Sequence, residues 1–313
     1  MPSDPSPTAA EGTSTRRRPS APGAPLGPGS ILWSIAGDPR GLLTGTAAGI
    51  MQLMLPGLGA GVTDHSNFFD DPYDRIFRSV PFIWGSIFSE GDEADARGRQ
   101  IRDFHPDIKG TDHHGRAYHA LDPDVFWWAH ATFTWEFFRA HELYFPGSLS
   151  RSQQEQLYGE SVTWYRRYGV SDRAVPLTLD DFRKRFEHIC AHELERTPAV
   201  DWVLDPSTNP GPAEVPHLPG PLSILDGLVG EVAGDVLRLL VYGCLPDIVR
   251  RRFGFRWSNL DRLRYASICA ALQASGPAVR HGFLGGLWPV GTPHLDPADH
   301  RRVVVTGGDR RDH

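Results

Sequence analysis

One stretch, "DPDVFWWAHATFTWEFFRAHELY", constrains the fold of this chain more than any other. Asp122 followed by Pro123 is a typical N-cap and first-turn pair, and Pro146–Gly147 interrupts the helical pattern. A helix is therefore predicted from Pro123 to about Tyr144. Phenylalanine and tryptophan occur on nearly every side of it. Because a helix that is apolar all round is buried, the rest of the chain must surround this one.

The remaining sequence supplies helices for that surrounding layer. Apolar residues recur at helical spacing in runs of roughly 12 to 20 residues, broken by proline, glycine or aspartate. Further helices are predicted near 150–169, from Thr178 or Asp180 onward, at 223–243 and at 258–275. No run predicts a convincing strand ladder. The pattern indicates an all-α fold with a single globular helical domain over residues 31–300. A disordered tail is expected at 1–30 and a loose one at 301–313.

The net charge and the cysteines indicate which class of ligand and which cellular compartment to expect. The formal net charge of −6 and the pI near 6.1 give no broad basic field, so no nucleic-acid partner is predicted and a small molecule is expected. Three widely spaced cysteines fit neither a disulfide framework nor a CxxC metal site. They predict reduced core cysteines and a cytoplasmic location.

Residues 42–62 form a segment of 21 residues without a charge, which is long enough to span a bilayer. Several glycines, Gln52 and Pro56 make it only moderately apolar. A buried helix that ends near Leu55–Pro56 is therefore predicted, and membrane association is not expected.

His130 lies in the middle of the predicted helix at 123–144. Steps of three and four residues place these side chains on its stripe: Phe126, Phe133, Thr134, Phe137 and His141. A buried neutral imidazole needs a partner for each ring nitrogen. One interpretation is a core histidine bonded to a backbone carbonyl, and the other is an axial ligand of a flat, apolar cofactor such as haem. Spacing alone does not decide between them.

His105 ends the segment "DEADARGRQIRDFH", in which Arg102 and Arg99 precede it at steps of three. This face is either a solvated stripe or a clamp for carboxylates and an iron-bound oxygen ligand. The polar loop "GTDHHGRAYHA" adds three histidines that we expect to be exposed, with a metal cluster as the alternative: His113, His114 and His119.

The sequence "HICAHE" offers a rival metal site, because His188 and His192 lie one helical turn apart and Glu193 follows. Such a pair can bind zinc or iron. The order is not that of the HExxH motif, and charged neighbours make a simple exposed face the competing interpretation. Signatures of phosphoryl or acyl transfer are absent from the sequence.

Three stretches of the chain are characteristic: "LLTGTAAGIMQLMLPGLGAGVTDHSNFFDDPYDRIFRSV", "HPDIKG" followed by "YHALDPDVFWWAHAT", and "CLPDIVRRRFGFRW". In this order they resemble the actinobacterial branch of the MpaB-type oxygenase family, which also includes the latex-clearing rubber oxygenases. The resemblance implies an all-α domain that encloses a pocket for haem b. It also implies O2 as co-substrate, since characterised members cleave an alkene carbon–carbon bond with O2.

The resemblance also implies roles for particular residues. The family's W-V-H helix matches Trp128, Ala129 and His130, so His130 is the expected axial iron ligand through Nε2. Its aromatic stripe would then contact the cofactor: Phe126, Phe133, Thr134 and Phe137. The family's distal arginine and its lysine or threonine correspond to Arg99, Arg102 and Asp103.

His105 matches the family's H-x-x-V-x-G motif, so the predicted catalytic residues are His105, Arg102 and Arg99. The chain departs from the pattern at Leu55, where many relatives carry a histidine, and at the distal lysine or threonine. The second departure argues against cleavage of rubber.

Three hypotheses follow. The first is a haem b-dependent oxygenase or oxidase that acts with O2 on an apolar small molecule, with unsaturated molecules among the candidates. The second is a non-haem metal enzyme that uses His188 and His192. The third is a helical module that binds a lipid-like ligand without catalysis.

Overall fold

The computed structural model of the chain describes residues 20–66, 72–204 and 226–274. The α-helices are α1 (Ile31–Ala36), α2 (Gly45–Leu53), α3 (Pro56–His65), α4 (Pro72–Phe88), α5 (Gly91–Asp103), α6 (Pro123–Tyr144), α7 (Arg151–Arg167), α8 (Leu179–His192), α9 (Pro198–Leu204), α10 (Asp226–Cys244), α11 (Asp247–Arg252) and α12 (Asn259–Ala274). Short 3-10 helices lie at Pro39–Thr44 and Asp172–Ala174. The prediction of a mostly helical domain is confirmed. The predicted tail at 301–313 lies outside the described residues, as does the stretch 275–300.

Helix α6 has the predicted bounds and is the centre of the fold. The Asp122 carboxylate accepts a hydrogen bond from Asp124 N, and Pro123 takes the first turn, as the sequence indicates. Around α6 lie α1, α2, α7, α12 and the 3-10 helix at 39–44. Trp127 and Trp128 are almost fully buried in these contacts.

Helices α7 and α8 also begin where their capping residues predict. Ser150 and Gln153 form a reciprocal capping box at the start of α7, and Gly169 beyond its end has a φ of +67°. Thr178 caps α8 by accepting a hydrogen bond from Asp181 N. The three cysteines are free and buried, which confirms the prediction that they belong to the core.

One short pair of strands lies among the helices, where the sequence predicted no convincing strand ladder. β1 (Lys109–Thr111) and β2 (Ala117–His119) form a two-stranded antiparallel hairpin in which Thr111 pairs with Ala117. Each strand has three residues, and β1 is exposed along its whole length. Strands this short carry no alternating apolar pattern, so periodicity could not reveal them.

Residues 20–30 were expected to belong to a disordered tail, but they lie against α7. Ala24 N donates to Gly159 O at 2.9 Å, and Thr163 Oγ1 donates to Ala24 O at 2.6 Å. Ala21 is 3% exposed. Since these contacts satisfy backbone groups of the segment, residues 20–30 are part of the fold.

The segment 42–62 divides into helices at the predicted place. Helix α2 ends at Leu53, α3 begins at Pro56, and the direction changes by 97° between Pro39–Leu53 and Pro56–His65. Among the described residues, no single helix has both the length and the apolar character of a membrane span. This bent pair passes that test only when its two parts are taken together. Met51 and Met54 are fully buried inside the protein.

Candidate functional site

Helix α6 places His130 in the interior, against α7. The His130 side chain is 5% exposed. Its ring centroid lies 4.6 Å from that of Trp164, 5.1 Å from that of Tyr165 and 5.7 Å from that of Tyr168. The wall of aromatic side chains that the sequence predicts around this histidine is therefore present, and much of it comes from α7.

The hydrogen bonds of His130 fix its tautomer. Nε2 lies 3.0 Å from Ser161 O and 2.9 Å from Ser161 Oγ. Because a carbonyl oxygen can only accept, Nε2 carries the proton and donates. Nδ1 then holds a lone pair, and no described residue donates to it. The predicted metal ligand, Nε2, is thus engaged with Ser161, and the nitrogen with an unpaired lone pair is Nδ1.

Burial keeps this imidazole neutral. Loss of hydration lowers the pKa of His130 to about 3, against the smaller opposing effect of the hydrogen bond to the Ser161 backbone. Neutral imidazole is the form that binds transition metals.

The space beside His130 is small. Residues of α6, α7 and α8 enclose a cavity of about 10 Å³ that has His130, Thr134 and Ser161 in its wall. That volume is close to the room one water molecule needs and far below the roughly 300 Å³ of a small-molecule pocket. The donor chemistry suits haem iron, but the described packing does not admit a porphyrin at His130.

The other residues of the predicted stripe surround the same α6–α7 contact. Thr134 Oγ1 donates to His130 O at 3.1 Å and lies 2.5 Å from Ser161 Oγ. Phe133 and Phe137 both have ring centroids 6.0 Å from that of Trp164. Phe126 packs against Tyr165 and Tyr168. These side chains thus lie near His130, and their contact with a cofactor stays a prediction.

His105 is connected to His130 through a chain of aromatic contacts. Its centroid lies 5.8 Å from that of Phe126, which lies 5.3 Å from that of Tyr168. Tyr168 in turn contacts His130. The Nδ1 atom of His105 donates to Ile101 O at 2.7 Å, a bond within its own helical turn.

Arg99 and Arg102 lie at the surface, beside Gly169 at the end of α7. Arg102 forms an ion pair with its neighbour Asp103, with a separation of 2.7 Å. Among the described residues, no contact joins either guanidinium to His130. The prediction that these arginines face the same site as His130 finds no support in this arrangement, because they are on the solvent side of α5.

The rival pair on α8 is exposed, as one interpretation predicted. The ring centroids of His188 and His192 lie 4.8 Å apart, and His188 Nε2 is 3.7 Å from Glu193 Oε1. In the part of the chain that the structure describes, the one group of three metal-ligating side chains is elsewhere, at His113, His114 and Glu195. Sequence reasoning missed Glu195, which is far from the histidines along the chain.

A larger cavity of about 360 Å³ lies between α6, the end of α10, α11 and α12. Arg139, Arg250 and Tyr265 are among its lining residues. Arg139 follows His130 by nine residues on α6, which corresponds to about 13 Å along the axis and half a turn around it. This cavity is consequently on the other side of the helix from His130.

The sequence model of one family matches most of the chain. The family is described as "ER-bound oxygenase mpaB/B'/Rubber oxygenase, catalytic domain", and the match covers residues 33–274. The chain belongs to this oxygenase family. A search of curated proteins found no match. A search of solved structures found none either.

The match to the MpaB/rubber oxygenase family begins within α1 and ends at the last residue of α12. It therefore includes every residue that the sequence predicted for the site. At the level of the family, the domain is an oxygenase catalytic domain, and the chain is an oxidoreductase. The branch within the family stays a prediction.

Sequence reasoning missed the two α7 residues that contact His130 most directly in this oxygenase domain. Ser161 holds Nε2, and Trp164 covers the imidazole ring. No local motif in α7 indicates such a contact. The only available signal was indirect: a buried imidazole must have partners, and they must come from a neighbouring helix.

Proposed function

We propose that this protein is an oxygenase that uses O2 to oxidise an apolar small molecule. The observation that carries the proposal is His130 itself. It is a buried, neutral imidazole inside the stretch that matches the family, and its Nδ1 lone pair has no donor among the described residues. A buried group left unpaired in this way costs free energy, which is typical of a functional position.

The proposed cofactor is haem b, with His130 as the iron ligand. When bound, haem would supply the oxygen chemistry. Because the described packing does not admit a porphyrin, haem binding requires the side chains between α6 and α7 to rearrange. The proposal therefore predicts that the haem-free and haem-bound forms differ in the α6–α7 contact.

The side chains around His130 favour an apolar substrate. Trp127, Val162, Val175 and Phe182 border the cavity, and the Thr134 and Ser161 hydroxyls in its wall bond to each other. Such a lining excludes water, and it supplies few groups that could bind a charged substrate.

Haem binding can be tested on the full-length protein expressed with a haem precursor. Ultraviolet–visible spectra of the oxidised and dithionite-reduced protein, with a pyridine haemochrome assay, give the haem content. We expect haem in the parent and in His141→Ala, and its loss in His130→Ala. His141 is a matched control because it lies on the same helix but is only half buried, stacked on Phe145.

Two outcomes would contradict this assignment. Full haem content in His130→Ala would remove His130 as the ligand. A colourless parent after haem supplementation would remove haem, in agreement with the closed packing around His130.

Oxygenase activity has a separate test. The parent is incubated with ¹⁸O2 and methyl oleate as an apolar alkene probe, and products are analysed by mass spectrometry. Incorporation of ¹⁸O above that of boiled protein supports the proposal. Absence of ¹⁸O in products of this probe and of a saturated analogue would contradict oxidation of apolar hydrocarbon chains.

A further inference from the structure

Three ligating side chains meet on the surface, between the β1–β2 turn and the segment that follows α8. His114 Nε2 lies 2.5 Å from Glu195 Oε2, and His113 Nε2 lies 3.2 Å from the same oxygen. One ligand atom from each side chain can be chosen so that all three lie within 4.8 Å of one another. His114 and Glu195 are 81 residues apart in sequence, so tertiary structure alone brings them together.

The turn that carries the two histidines is held in one conformation. The buried Asp112 carboxylate accepts hydrogen bonds from the backbone nitrogens of His114 and Arg116, both at 2.9 Å. Gly115 has a φ of +77°, which lets the chain turn back tightly into β2. The two imidazoles therefore start from a fixed backbone.

Glu195 is also on a fixed backbone. Its N–H donates to Met54 O at 2.8 Å, and Leu194 before it is fully buried. Thr197 Oγ1 donates to Leu53 O at 2.7 Å and fixes the following residues against α2. Ligands on rigid backbones lose little conformational entropy when an ion binds.

We propose that His113, His114 and Glu195 form a binding site for a divalent transition-metal ion such as Zn²⁺. Two imidazoles and a carboxylate are a common ligand set for zinc. In a tetrahedral zinc site with bonds of about 2.0–2.1 Å, neighbouring ligand atoms are about 3.3 Å apart, so small side-chain rotations suffice. The three side chains are 31%, 47% and 32% exposed, which leaves room for water as a further ligand.

The ion would join the hairpin to the segment between α8 and α9. Neither of the two cavities described above has any of these three residues in its wall. A structural role is thus favoured over catalysis. The site is also independent of His130 and of the proposed oxygenase function.

One positive charge opposes metal binding. Arg116 NH2 lies 3.6 Å from Glu195 Oε1, while Arg116 Nε donates to Asp112 at 2.8 Å. Arg116 and a bound ion would therefore compete for the charge of the Glu195 carboxylate. Arg116→Gln should consequently bind Zn²⁺ more tightly than the parent.

The test is calorimetric titration of the full chain with Zn²⁺, in a His188→Ala/His192→Ala background that removes the exposed pair on α8. We expect one tightly bound ion per chain. Binding should be lost in His113→Ala, His114→Ala and Glu195→Gln. It should persist in His119→Ala, a matched control on β2 whose Nε2 bonds to Pro106 O instead.

Thermal unfolding provides a second measurement. Because Zn²⁺ binds the native state, it should raise the Tm of the parent and of His119→Ala but not that of the three ligand variants. Without Zn²⁺, all variants should unfold at nearly the same temperature, since the altered side chains lie at the surface. Tight binding that survives His113→Ala/His114→Ala, or no tight binding in the background protein, would overturn the proposal.

His130→Ala separates the two proposals. It should lose haem without a change in Zn²⁺ affinity, whereas His113→Ala should keep haem and lose Zn²⁺ binding. If His130→Ala still unfolds cooperatively but no longer binds Zn²⁺, the ion does not bind at His113, His114 and Glu195.

Discussion

At the scale of single residues, burial moves the pKa values of two α6 side chains, His130 and Glu136, in opposite directions. It lowers the pKa of His130 to about 3 and raises that of Glu136 to about 8, where a hydrogen bond from Thr44 opposes the shift. Each has one buried atom without a partner among the described residues, Nδ1 and Oε2 respectively. Both side chains are therefore largely uncharged at neutral pH, and each contributes to the pH dependence of stability.

His130 should destabilise the protein in acid. Below its unfolded-state pKa of 6.5, the unfolded chain binds a proton at this residue, whereas the native state does so only near pH 3. The contribution of His130 to the free energy of unfolding is thus fully present above pH 6.5. It falls by about 1.4 kcal/mol per pH unit as the pH is lowered. In urea unfolding between about pH 4 and 6.5, the free energy of unfolding of the parent should fall relative to that of His130→Gln by this amount per pH unit as the pH is lowered. An unchanged slope in His130→Gln would contradict the burial effect.

Glu136 should act in the opposite sense. Its pKa is higher in the native state than in the unfolded chain, so its contribution is complete below pH 4.5 and is lost as the pH rises towards 8. Between 4.5 and 6.5 the effects of Glu136 and His130 offset each other, and above 6.5 the loss due to Glu136 remains. Glu136→Gln should remove that alkaline decline in the free energy of unfolding. A parent whose stability stays level from pH 6.5 to 8 would show that the carboxyl is ionised in the native state.

The sequence predicts that His130 is buried and neutral, but it does not predict which residue forms a hydrogen bond with it. The apolar residues around it in α6 indicate a buried and hence neutral imidazole, and the structure agrees. Ser161 could not be predicted, because it lies 31 residues away on a separate helix. Periodicity identifies the face that a residue occupies, but the register between two helices depends on tertiary packing.

At the scale of secondary-structure elements, the contact between α5 and α7 depends on a missing side chain. A Cβ placed on Gly98 would overlap the backbone carbonyl of Arg167. Gly98→Ala should therefore push the helices apart and cost about 1–3 kcal/mol of stability, the typical penalty for overpacking. Chemical denaturation measures this loss directly.

Gly49 in α2 is the matched control, since it is also inside a helix but has open space around its Cα. Gly49→Ala should stabilise the protein by about 0.5–1 kcal/mol, because alanine loses less backbone entropy in a helix. Equal effects of the two substitutions would indicate that helix propensity, rather than the α5–α7 contact, determines the outcome at Gly98.

Helix bounds are the part of the fold that sequence predicts most fully. Capping and stop signals place α6, α7 and α8 correctly, because those signals are local. What a helix face contacts, by contrast, depends on tertiary packing rather than on the adjacent sequence. Arg99 and Arg102 share a face of α5 as predicted, yet that face points to solvent beside Gly169 rather than toward His130.

At the scale of the whole molecule, Arg40 joins parts of the chain that are far apart in sequence. Its guanidinium makes two hydrogen bonds to the Asp38 carboxylate, at 2.9 and 2.8 Å. NH1 donates to Tyr144 O, at the end of α6, and to Leu272 O in α12. The Arg40 and Asp38 side chains are 3% and 1% exposed. The first and last described parts of the domain thus meet at one buried ion pair.

Replacing Asp38 in this ion pair should lower the free energy of unfolding strongly. In Asp38→Ala the buried Arg40 charge loses its counter-ion, which should cost about 3–5 kcal/mol in the free energy of unfolding. In Asp38→Ala/Arg40→Met that unpaired charge is gone, although the carbonyls of Tyr144 and Leu272 lose their donor. A double-mutant cycle from guanidinium unfolding should accordingly give a coupling of at least about 1 kcal/mol. Additive losses would mean that the backbone contacts of Arg40, rather than its pairing with Asp38, hold these elements together.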